Sequence, residues 1–154
     1  MQGTLGRIVF GFIAAAIAVA TVHQAIVWAL GPGLGQINWL PAQAIAWPTA
    51  KFGPLGVPLL VNSMFWGGLW GALFGLIHDK LPGGSALVKG LIYGLLIIVF
   101  SNWLLLPLIK GQIFGQPNQI LFAGWVPTRM AAGALILSGF GMTTALIYSL
   151  LRRD

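Results

Sequence analysis

Apolar residues run almost unbroken through four stretches of the chain, near 7–30, 57–78, 86–109 and 129–151. Between them lie segments rich in Gly, Pro, Asn and Gln. Each run reaches the ~20 helical residues that cross a hydrocarbon core. The pattern predicts an all-α membrane protein, a four-transmembrane-helix bundle forming one domain over residues 1–154. The first run follows Arg7 and resembles a secretory signal, but it is longer than the ~7–15 apolar residues of a signal core. It is therefore read as a retained span.

A second pattern lies within the first. Every fourth residue of the first run gives Gly11, Ala15, Val19, His23, and of the third gives Gly90, Gly94, Ile98, Asn102. Both read small, small, β-branched, polar, at an offset of 79 (102 − 23). Gly-Gln-Ile recurs at 35–37 and 111–113, an offset of 76. Gly67, Gly71 and Gly75 match Gly141, Ala145 and Ser149 at an offset of 74. This points to two parallel-repeat helical hairpins related about an axis along the membrane normal.

Composition sharpens the class. The chain is 58% hydrophobic and only 6% charged, against about a quarter charged in a soluble domain. The basic residues are scattered and form no stripe of the kind that binds nucleic acid. Arg7, Lys80, Lys89, Arg152 and Arg153 fall at one end of the spans, and Lys51, Lys110 and Arg129 at the other. Five against three places both termini in the cytoplasm by the positive-inside rule. Lys80, Lys89, Arg152 and Arg153 are candidates to hold acidic lipid headgroups. The longer connections carry Trp39, Trp47, Phe114, Phe122 and Trp125, rings suited to the headgroup level. Those loops are expected to fold back on the membrane surface or cap the bundle.

The second run contains "NSMFWGGLWGALFG". Ser63, Gly67, Gly71 and Gly75 lie four apart and form a nearly straight groove, with Trp66 and Trp70 on the adjoining ridge. In lipid such a groove lets another backbone approach closely. Its occupant is first a helix of the same chain, since a compact four-span bundle needs such contacts, and otherwise a partner, for which the mid-span tryptophans of the ridge speak.

His23 and Gln24 of the first run, Asn62 and Ser63 of the second, and Ser101 and Asn102 of the third reach a comparable depth. This polar layer either sets helix register by hydrogen bonds or binds a solute. His23 is also a candidate axial ligand for haem, though no second ligand lies near it. His78 is on the order of 20 Å away across the bilayer at helical rise; it reads as a solvated boundary residue. With no cysteine and two acidic residues, Asp79 and Asp154, no Cys-based metal site, paired carboxylate or catalytic triad can be assembled, so no enzymatic activity is expected.

The stretch "FGPLGVPLLVNSMFWGGLWGALFGLI" with the upstream "VHQ", about residues 20 to 77, resembles a group of small four-span bacterial inner-membrane proteins with no assigned activity. The resemblance implies a multi-pass location in a bacterial plasma membrane and nothing about chemistry. The expected function is that of a non-catalytic accessory or structural subunit packing against other membrane proteins or itself. A small channel or transporter using His23 and Asn102 is one alternative, and a haem-binding protein using His23 is the other.

Overall fold

In a computed structural model, which describes residues 3–31, 37–41, 44–113 and 121–152, four helices are long and apolar enough to cross a membrane. They are α1 (Thr4–Leu30), α2 (Leu59–Lys80), α3 (Ala86–Leu108) and α4 (Pro127–Leu151). The last turn of α2, His78–Lys80, is 3-10, and π turns carry α3 on through Ile113. Four such helices suggest a multi-pass membrane protein. One element was not foreseen, an antiparallel hairpin of β1 (Lys51–Phe52) and β2 (Val57–Pro58). Gly53 and Gly56, both at positive φ, turn it, and Leu55 at its tip is 87% exposed. It precedes α2, which begins after Pro58, where a proline costs no helical hydrogen bond.

The helices associate as two antiparallel hairpins, α1 with α2 and α3 with α4, joined mainly where α1 meets α4. Missing side chains create both hairpin contacts. A methyl group on Gly71 would overlap the Gly11 carbonyl oxygen, and one on Gly11 would overlap that of Gly71. Gly90 and Gly141 stand in the same reciprocal relation. Gly75 lies on the Arg7 carbonyl and Gly94 on that of Leu137. With no hydrophobic push between helices in lipid, this proximity supplies the dispersion contacts that hold them.

The two hairpins bury matching positions. In α1 these are Gly11, Ala14, Ala15, Ala18 and Val19; in α3 they are Gly90, Tyr93, Gly94, Ile97 and Ile98, each 79 further on. Gly67, Gly71, Phe74 and Gly75 of α2 correspond to Leu137, Gly141, Thr144 and Ala145 of α4, each 70 further on. The offset between α2 and α4 is therefore one helical turn away from the 74 read from sequence. A pattern of every fourth residue matches itself when shifted by four, so only the packing fixes the turn. The drop from 79 to 70 is nine residues, the length of the segment from Ala50 to Pro58 that holds the β-hairpin.

α1 and α3 also share an irregularity. π-helical turns begin at Val19 and at Ile98, again 79 apart (98 − 19). In α3 the π turns lead into Pro107, which has no N–H and would crowd the carbonyl four residues back in a regular helix. In α1 the Thr21 hydroxyl donates to the Ile17 carbonyl at 2.8 Å, a bond known to perturb the helical ladder.

Candidate functional site

The sequence placed six polar residues in one layer, and the side-chain hydrogen bonds of His23, Gln24 and Ser63 do not link them across helices. His23 and Gln24 are neighbours at the α1 π turn, with Gln24 Nε2 3.5 Å from His23 Nδ1. Gln24 is buried, and its Oε1 accepts the Trp47 backbone N–H at 2.8 Å. Ser63 donates to the Leu59 carbonyl of its own helix at 2.9 Å. Asn62 is half-buried, Ser101 buried and Asn102 exposed. Among the described residues no hydrogen bond joins His23 or Gln24 to Asn62, Ser63, Ser101 or Asn102.

What α1 gains instead is a latch. Trp47, in the loop between α1 and β1, sits at φ 47° and donates twice to the same helix. Its backbone N–H goes to Gln24, and its indole Nε1–H reaches the Ala20 carbonyl at 2.8 Å. Ala20 lies inside the π turn, where the altered ladder leaves a carbonyl open to an outside donor. The loop thus folds back onto the bundle, pinned by the ring that sequence had assigned to the headgroup level. Composition indicated that this loop returns; the partner of Trp47 depends on a π turn that no residue pattern announces.

The glycine groove is occupied from within. Gly71 and Gly75 lie on α1 backbone, and Gly67 meets the Val19 side chain. Of its two candidate occupants, a helix of the same chain fills it. The ridge divides. Trp66 is 57% exposed on the outer surface, beside Phe65 at a ring distance of 5.8 Å. Trp70 packs partly against the core, and its carbonyl accepts the Tyr93 hydroxyl.

That bond belongs to a ring cluster that sequence reading missed. Phe74 lies 5.0 Å from Tyr93 and 5.6 Å from Tyr148, and all three rings are buried. Tyr148 donates to the Gly75 carbonyl at 3.3 Å. These are the chain's only tyrosines, and each carries a hydroxyl that has to find an acceptor inside the bundle. The signal was available in their position inside apolar runs, Tyr93 well within the third and Tyr148 near the end of the fourth. Close by in α4, Thr144 Oγ1 is fully buried without a hydrogen-bond partner.

At the end bearing Arg7, one carboxylate gathers three elements. Asp79 is the only acidic residue among those described. Its Oδ2 lies 2.9 Å from Arg7 Nη2 and its Oδ1 2.7 Å from Arg152 Nη1. A second Arg152 bond, Nη2 to Oδ2 at 3.2 Å, makes that pair bidentate. The Asp79 carboxylate raises the Arg152 pKa further above its ordinary value, so the guanidinium stays charged. Lys89 of α3 adds a fourth tie, donating to the His78 carbonyl at 3.1 Å.

His78 is not the solvated boundary residue expected. Its ring packs at 5.3 Å from Phe74 and 5.2 Å from Tyr148. Nδ1 lies 3.0 Å from Asp79 Oδ1 and 3.2 Å from Arg152 Nη1. It can donate to the first or accept from the second, not both. Of the four headgroup candidates, Arg152 and Lys89 are thus engaged within the chain and Lys80 is exposed. Arg153 lies outside the described residues, as do Phe114, Asp154 and the first two residues of Gly35-Gln36-Ile37.

Among the described residues no three His, Asp or Glu side chains gather as metal ligands. Comparison with family models, with curated proteins and with solved structures finds no match to this chain.

Proposed function

We propose that this protein is a non-catalytic subunit of a bacterial inner membrane, built from two related hairpins, with both termini cytoplasmic. It docks laterally on another membrane protein or on a second copy of itself. The observation that carries this reading is Trp66, an indole 57% exposed near the middle of α2, with Phe65 and Phe12 forming an aromatic edge beside it. Tryptophan facing lipid belongs at the interfaces, where its N–H meets water or headgroups. In mid-span its N–H gains most from an acceptor on a neighbouring helix. The bundle behind it is tied at both ends, by Asp79 and by Trp47, and offers a firm surface for docking.

The test is crosslinking in native membranes from a photoreactive amino acid at residue 66. The reading requires a discrete adduct, and comigration on native gels that is lost in Trp66→Ala while the variant stays folded. No adduct at residue 66, with the protein monomeric in mild detergent and lipid, sinks it. Gly71→Leu is unsuitable as a probe, because it would separate α1 from α2.

A second reading, a small solute path past His23, is favoured by the π turn and by the loop resting on Gln24. It requires liposome flux that falls in His23→Ala; unchanged flux removes it.

A further inference from the structure

The Trp47 latch has a counterpart in the second half of the chain. Trp47-Pro48-Thr49 precedes α2, and Trp125-Val126-Pro127-Thr128 leads into α4. The tryptophans are 78 apart (125 − 47) and the threonines 79 (128 − 49), close to the offset that relates α1 to α3. Trp125, like Trp47, is a non-glycine residue at positive φ, 58° against 47°. The helix that would receive it has its own π turn, with Val99 standing 79 residues after Ala20 and Asn102 after His23.

The halves differ in state. Trp47 makes two hydrogen bonds to α1, whereas Trp125 is 71% exposed and stacks on Phe122 at 5.2 Å. Phe122 in turn meets Trp103, the residue 79 after Gln24, at 6.3 Å. Phe122, Ala123, Gly124 and Trp125 all adopt left-handed φ. For the three with side chains this costs on the order of 1–2 kcal/mol each, a reservoir that a change of loop conformation can release.

The geometry points to Trp125 as a second indole latch, poised open over the α3 π turn and able to close on it as Trp47 closes on α1. In the closed form the indole N–H donates to the Val99 carbonyl, and the exposed Asn102 side chain accepts the Trp125 backbone N–H. Trp103 stands at the position of Gln24, so the side-chain acceptor in this half is Asn102, one residue earlier, and the aromatic-loop end of the molecule has one fixed cover and one movable cover. This rests on the two hairpins being related, and it is independent of whether Trp66 docks a partner.

The test is fluorine NMR on protein carrying 5-fluorotryptophan, with resonances assigned through Trp47→Phe and Trp125→Phe and probed with a water-soluble paramagnetic quencher. Trp47 is expected as one protected resonance that becomes accessible in Gln24→Leu. Trp125 is expected as two populations, one exposed and one protected. Asn102→Leu should deplete the protected one about three- to tenfold, the effect of one hydrogen bond. Trp125 is exposed, so its Phe variant keeps the fold. A single Trp125 resonance with full exposure, unchanged by Asn102→Leu while Trp47 stays protected, overturns the latch and leaves the subunit reading intact.

Discussion

At Gly71 a single added methyl decides whether two helices can touch. The Gly11 carbonyl oxygen occupies the space a Cβ would need, and a backbone carbonyl cannot step aside as a flexible side chain can. Gly71→Ala should therefore destabilise the protein by about 2–3 kcal/mol, as overpacking does. Gly84→Ala, with nothing within 4 Å of its Cβ, should stay within about 0.5 kcal/mol. Unfolding in mixed micelles compares the two. Thr144 offers the opposite sign. Its buried hydroxyl has no partner, so Thr144→Val removes a desolvation cost and should stabilise by about 1 kcal/mol. A loss of stability would mean that the hydroxyl has an acceptor in solution. Residue types named the glycines as packing positions, yet every-fourth spacing is degenerate under a one-turn shift. Pairing Gly71 with Gly11, and Gly141 with Gly90, took the contact itself.

Among the elements, glycine contacts bring the paired helices together and directional bonds tie their ends. Asp79 joins α1 through Arg7 and the end of α4 through Arg152, around a carboxylate that is itself partly exposed. Exposed ion pairs contribute about 0.2–1 kcal/mol each. Asp79→Asn should thus lower stability by about 1–2 kcal/mol at low salt, and by less at 1 M salt, where screening weakens the pairs already. Equal losses at both salt concentrations would show that packing, not charge, ties this end. At the other end, Gln24→Leu should free the Trp47 N–H and leave the loop open to protease between residues 44 and 50. Sequence placed His23, Gln24, Ser63 and Asn102 at one depth by counting residues from the ends of the runs. Depth alone does not pair them: Gln24 takes its partner from the loop at Trp47, and Ser63 bonds to its own helix.

Over the whole molecule, two hairpins with matching buried positions meet through α1 and α4 on one side, and through the Phe74, Tyr93 and Tyr148 rings toward the end bearing Arg7. The first halves of α1 and α3 bury the same positions, while their second halves differ: Gln24 and Val27 are buried, but Trp103 is half-buried and Leu106 exposed. The cover on α1 is the loop held by Trp47. Tyr93→Phe should remove the bond to the Trp70 carbonyl and cost about 0.6–1.5 kcal/mol, the range for such bonds between helices in membranes. Because α2 and α3 otherwise meet little, that loss should appear as faster hydrogen exchange near Trp70 and Tyr93 rather than as global unfolding.

Hydropathy and length alone determined that this chain has four helices long and apolar enough to cross a membrane, because apolar length against bilayer thickness is a local property of each run. They also marked the small residues as contact surface, since close approach in lipid depends on side-chain size. Only the tertiary structure decided which glycine meets which, that α1 fills the α2 groove, and that Trp47 rather than a neighbouring amide satisfies Gln24. Those outcomes depend on where two helices cross and how a loop returns. A one-turn shift changes both and leaves the pattern of the sequence unaltered.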